Sequence, residues 1–136
     1  MAAFATATIA GPDLIVSGAS VRRDASGLFI ERISVTVTNA CREQAVGGTY
    51  VLVTVKEDES LGAKTIYFVG NAVKALRGGE SITQTFDVST KKIAVGTYIY
   101  IEADPYKKIA EVNEDNNWRS LFPDAAGPGP TRSQCR

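Results

Sequence analysis

The sequence predicts an all-β fold, an immunoglobulin-like antiparallel β-sandwich of about seven strands with Greek-key connections. Two observations lead there. Apolar residues alternate with polar ones over short runs, and the runs are separated by clusters of glycine, asparagine and aspartate, which is the spacing of strands in a sandwich and not of helices. At 136 residues the chain forms one domain with short tails, large enough to bury about 65–70% of the surface its unfolded form exposes. The sandwich is assigned to residues 12–122, after an N-terminal extension over 1–11 and before a flexible tail over 123–136 that contains Gly127-Pro128-Gly129-Pro130.

The first strand is expected over residues 13–21, opened by Gly11-Pro12, a place where proline is tolerated. The second covers 28–38, with Ile33, Val35 and Val37 on one face and Arg32, Ser34, Thr36 and Thr38 on the other, so one face should be buried and one wet. Gly47-Gly48 introduces the third, where Val51, Val53 and Val55 alternate with Leu52, Thr54 and Lys56. The fourth spans 64–69 and starts on Lys64, a residue type that discourages edge pairing at a sheet margin. Residues 71–77 suit a helical turn closed by Gly78-Gly79. The fifth strand, 81–88, turns Ile82, Phe86 and Val88 inward, with Thr83 and Thr85 outward. In the sixth, which begins at Gly96, Tyr98 and Tyr100 interleave with Ile99 and Ile101, and periodicity leaves the inner face open. The last covers 118–122. The inward aliphatics each contribute about 1.5–3 kcal/mol when fully buried, as an upper bound.

Composition removes several function classes. Fifteen basic and fifteen acidic residues cancel, with no long block of either sign, so the concentrated basic stripe of a nucleic-acid surface is missing. Histidine is absent, which excludes histidine-based triads and the usual catalytic zinc sites. There is no G-x-S-x-G elbow, no phosphate-cradling glycine loop and no C-x-x-C pair. Cys41 and Cys135 are far apart and are read as two unpaired thiols, with a disulfide the less favoured case. The first ten residues are small and apolar but lack a positive n-region, and they are too short to span a bilayer.

The densest polar segment follows the sixth strand: Asp104, Glu111, Asn113, Glu114, Asp115 and Asn117 offer the hard oxygens that calcium prefers. Asn113, Asp115 and Asn117 even have the one-three-five spacing of an EF-hand loop. Trp118 stands where that loop needs glycine and Asp124 where it needs glutamate, so the EF-hand is rejected. The preferred reading is that these side chains bond their own main chain, as Asn and Asp do in turns; a calcium site is the alternative, and no cofactor is otherwise expected. A glycosidase pair of carboxylates needs a cleft with the groups about 5–9.5 Å apart, which a small sandwich does not obviously offer. Tyr50, Tyr67, Tyr98, Tyr100, Tyr106 and Trp118 could form an aromatic platform for sugar rings. Tyr106 and Trp118, beside the polar loop, are the best candidates for ligand contact.

In order along the chain come Pro12-Asp13-Leu14-Ile15-Val16, Val35-Thr36-Val37-Thr38-Asn39, Leu76 with Gly79-Glu80-Ser81, Gly96-Thr97-Tyr98, Ala103-Asp104-Pro105, Ile109-Ala110-Glu111 and Asn113-Glu114-Asp115-Asn116-Asn117. This series resembles the CARDB family, the cell adhesion related domain found in bacteria, over roughly residues 12–122. The closing Asp-Pro…Ile-x-Glu-x-Asn-Glu-x-Asn-Asn segment is its most specific part. The resemblance implies an immunoglobulin-like sandwich of surface or secreted bacterial and archaeal proteins, set beside catalytic or carbohydrate-binding modules, with adhesion as its proposed role. One departure is Cys41, where the family usually has glycine: the turn must be built differently, or Cys41 must accept a strained backbone.

The expected function is therefore non-enzymatic: an extracellular adhesion or spacer module that mediates protein or surface interactions. Its partners would be other domains of a surface or secreted protein, or a protein or polysaccharide, with no nucleic acid and no membrane insertion. The alternative is a carbohydrate-binding or calcium-stabilised module working through the loop between the last two strands.

Overall fold

The computed structural model describes residues 12–41, 48–57, 64–104 and 118–121. Seven strands follow in order: β1 (Leu14–Arg23), β2 (Ile30–Asn39), β3 (Thr49–Lys56), β4 (Thr65–Val73), β5 (Ser81–Asp87), β6 (Tyr98–Ala103) and β7 (Trp118–Ser120). They form two antiparallel sheets, one ordered β1-β2-β5 and the other β4-β3-β6-β7. The chain crosses between the layers after β2, after β4 and after β5, which is an immunoglobulin-like sandwich.

Alternation decides what is buried. Ile33, Val35 and Val37 of β2 face Val51, Val53 and Val55 of β3 and Ile99 and Ile101 of β6 across one continuous core, where β-branched side chains pack well on a pleated surface. In β6, whose two faces are equally apolar in sequence, the isoleucines go inside and Tyr98 and Tyr100 stay half-buried on the outer face. Register forces this, because Ile101 pairs with Val53 and Ile99 with Val55, and paired residues share a face.

Local bonds close the ends. The Asp24 carboxylate accepts from the Ser26 hydroxyl (2.6 Å), the Ser26 N–H (3.0 Å) and the Gly27 N–H (3.1 Å), shaping the turn between β1 and β2, where Gly27 takes the left-handed conformation. These bonds, led by that from the Ser26 hydroxyl, hold the carboxyl below its usual range. On the side where β7 meets the other sheet, Arg119 Nε donates to the Val16 carbonyl at 3.2 Å.

Two expectations are corrected. Residues 71–73 continue β4 by pairing with β3, Ala72 opposite Tyr50 and Val73 opposite Thr49, so no helical turn forms over 71–77. The described helical segment is a short 3-10 turn, Ser89–Lys91. Cys41 is disulfide-bonded, not a free thiol; the other cysteine, Cys135, lies outside the described residues. The non-glycine residues with positive φ are Lys92 and Asp104, so among the described residues the turn at Cys41 is built without strain at that position.

Candidate functional site

Strand direction brings one end of β1, β2, β3, β4, β5 and β6 together, and buried polar side chains collect there. Burying a carboxamide or carboxylate is costly unless hydrogen bonds replace its water. Asn39, the last residue of β2, is fully buried. Its Oδ1 accepts from the N–H of Asp13 (3.0 Å) and of Cys41 (3.2 Å), and its Nδ2 donates to the Leu76 carbonyl (3.1 Å). Its main chain joins the same corner: its N–H donates to the Glu80 carbonyl, and its carbonyl accepts from Gly79 N–H. Glu80 in turn accepts from the Arg77 N–H and from Lys74 Nζ, each at 2.9 Å, bonds that hold its carboxyl below the usual range. Asp13, Asn39, Leu76, Gly79 and Glu80, scattered along the chain, are thus one framework joint.

Asp104 stands at the same end, where β6 stops. Its φ is 51°, a left-handed backbone that Asp accepts more readily than most residues. Its side chain is buried, and Oδ1 accepts from the Thr49 hydroxyl at 2.6 Å while its N–H donates to the Tyr50 carbonyl at 2.9 Å. The carboxylate therefore engages the start of β3. Of the proposed calcium set, Glu111, Asn113, Glu114, Asp115 and Asn117 lie outside the described residues, as does Tyr106. Among the described residues no group of three or more His, Cys, Asp or Glu is placed to hold a metal ion.

Trp118 opens β7 opposite Glu102 and stacks on Tyr100, with centroids 5.8 Å apart and planes 25° apart. Tyr100 stacks in turn on Tyr98 at 6.5 Å and 16°. Burial is the main reason that the Tyr100 hydroxyl ionises above the ordinary range, with the charges of Glu102 and Tyr98 adding to it. Pairing across the ladder sets Tyr50, Leu52 and Phe68 on the same outer face, and Ile66, at the register shift beside Thr65, is exposed. Tyr67 belongs to the other side, packed against the core with Lys91 Nζ 5.2 Å from its ring centre. Sequence reasoning named Tyr98 and Tyr100 with Trp118 as candidate platform residues but preferred Tyr106 and Trp118 for ligand contact; the Tyr-Ile-Tyr-Ile alternation held the signal, without saying which residues faced out.

The model of the CARDB family matches residues 11–121. Among solved structures, the solution NMR structure of a domain (residues 272–376) named as part of a cell surface protein from Methanosarcina acetivorans is similar with a TM-score of 0.60 at 17% identity. That match covers 85% of this chain and 90% of that one, and it is a likeness of fold. A β-D-glucoside glucohydrolase from Trichoderma reesei gives a TM-score of 0.40 at 16% identity, covering 82% of this chain and 19% of that one. No curated protein matches.

Proposed function

The chain belongs to the CARDB family, and from that premise we propose that it is a non-enzymatic, extracellular adhesion or spacer module that contacts other domains, proteins or surfaces through its outer sheet surfaces. The family membership and the likeness to a domain of a cell surface protein support an adhesion-related role. The observation that carries the choice of surface is the contrast between the two candidate regions. At the loop end, Asn39 and the described bonds of Asp104 run into the protein's own framework. The four-stranded sheet instead presents Tyr50, Ile66 and Phe68 to solvent, and exposed apolar patches mark contact surfaces.

A second reading, carbohydrate binding, is favoured by the stacked row of Tyr98, Tyr100 and Trp118, since flat rings suit sugar faces. A calcium-stabilised loop remains the third. One set of measurements separates them. Beads coated with the domain should be retained on cell-envelope protein more than beads coated with an unrelated sandwich domain. Retention on isolated polysaccharide that disappears in Trp118→Ala transfers the role to sugar binding. A melting temperature several degrees higher in millimolar calcium transfers it to the calcium reading, and absence of retention on every surface overturns adhesion.

A further inference from the structure

An edge strand carries a row of unpaired N–H and C=O groups, and proteins blunt such edges with charges, bulges or brevity. Three edges here are blunted. β1 has register shifts at Val16/Gly18 and Arg22/Arg23 and ends on two arginines. β5 exposes Ser81, Thr83, Thr85 and Asp87, and β7 is three residues long.

β4 is the least protected of the four. Its nine residues, Thr65–Val73, contain no charge and no proline, its one register shift lies at the Thr65 end, and Ile66 and Phe68 are 53% and 68% exposed. Lys64, which should have guarded the strand, sits just before it, with its carbonyl accepting from Glu57 N–H. The direction of the main-chain groups follows from the neighbouring ladder. The Tyr50 carbonyl is turned toward β6, where it accepts from Asp104 N–H, so the groups of Ala72, the β4 partner of Tyr50, point away from β3. The same side is taken by Gly70 and Phe68, because the groups alternate along a strand. Among the described residues two side chains reach this edge, both at Ala72: Gln84 Nε2 donates to its carbonyl at 2.6 Å, and Asn71 Oδ1 accepts from its N–H at 3.0 Å. The outward groups at Phe68 and Gly70 are therefore the ones left for a partner strand.

We infer that β4 is a self-association edge: it pairs antiparallel with β4 of a second copy about a two-fold axis at Phe68, joining two four-stranded sheets into one of eight. The two-fold sets Phe68 beside its own counterpart and Ile66 opposite Gly70 of the second copy. An isologous contact of this kind needs a patch complementary to itself. The strand's lack of charge supplies that electrostatic match, since like charges directly opposite would repel. Of the lysines that flank the strand, Lys74 is already neutralised by Glu80 at 2.9 Å. The strand pair shares Ile66 and Phe68 with the sheet face proposed above for contact and leaves Tyr50 outside it; self-association is read without any ligand, so its failure is distinct from failure of retention.

Sedimentation equilibrium of the whole chain tests this. The expected result is a concentration-dependent dimer that Phe68→Lys weakens about 100-fold, each dimer receiving two unmatched charges. Leu28→Lys, a control at a residue 65% exposed outside the strand, should leave the dimer unchanged. Circular dichroism checks folding, and Ile66→Lys replaces the first variant if that one unfolds. A wild-type chain that is monomeric up to millimolar concentration overturns the inference, as does equal weakening by Leu28→Lys. Capture of an unrelated strand peptide by a chain that does not self-associate also overturns it.

Discussion

The outer faces of the two sheets cover the same core with opposite chemistry. On the three-stranded sheet, hydroxyls bond to hydroxyls from strand to strand: Ser17 Oγ to Thr38 Oγ1 at 2.7 Å, Thr38 Oγ1 to Ser81 Oγ at 2.6 Å, and Thr36 Oγ1 to Thr83 Oγ1 at 2.8 Å. On the four-stranded sheet the corresponding positions carry rings and aliphatic chains, with Tyr98, Tyr100 and Trp118 stacked and Ile66 and Phe68 open to water. The first face satisfies its polar atoms internally. The second keeps apolar area in water, which favours association with something else. The comparison teaches that a wet face need not be a contact face; what matters is whether its surface energy has already been lowered by its own neighbours.

The largest effect is expected where the bonded sheet is anchored. Asn39→Ala removes an acceptor for two N–H groups and a donor to the Leu76 carbonyl in a fully buried place. Unpaired buried groups cost about 1–3 kcal/mol each, so urea denaturation should show stability lower by about 2–4 kcal/mol; a change under 1 kcal/mol would mean that water replaces the carboxamide.

A smaller effect belongs to the aromatic face. The folded-state pKa of Tyr100 is raised, so its neutral form is favoured by folding. That contribution is complete below about pH 10, the unfolded value, and is lost as pH rises through the higher folded value. Absorbance at 295 nm should reveal a late-ionising tyrosine that is absent in Tyr100→Phe, and the same variant should flatten the alkaline limb of the stability curve.

The smallest effect tests the hydroxyl ladder itself. Replacing both Thr36 and Thr83 by valine removes a donor and its acceptor together, which should leave stability within about 0.5 kcal/mol in thermal melts. A larger loss would mean that the ladder stabilises the sheet and does not merely neutralise its surface.

Much of the sandwich was legible because alternation and burial agree. The valine triplets of β2 and β3 named their inner faces directly. β6 was not legible in that way, since tyrosine and isoleucine are both apolar enough for a core, and only pairing with Val53 and Val55 chose between them. Residues 71–77 misled because Ala72, Lys74, Ala75, Leu76 and Arg77 include good helix formers, while pairing with Thr49 and Tyr50 prevails over local preference. The joint around Asn39 was visible as a family pattern but not as a joint, because its hydrogen bonds span 26 and 37 residues of sequence. Of the candidate loop, Asp104 and Trp118 can be judged. One is bonded into the framework by Thr49 and the other is a member of an aromatic row, so their adjacency to acidic residues in sequence said little about their work.

The left-handed backbone at Asp104 has a consequence for how this position varies among relatives. Glycine would meet the conformational demand but would leave the Thr49 hydroxyl without its acceptor; alanine would meet neither. Asparagine alone of the common substitutes supplies both the tolerated geometry and an oxygen in the same place. Homologues that retain threonine at 49 should therefore draw on an alphabet of two letters at 104, and those with glycine there should have exchanged the threonine as well.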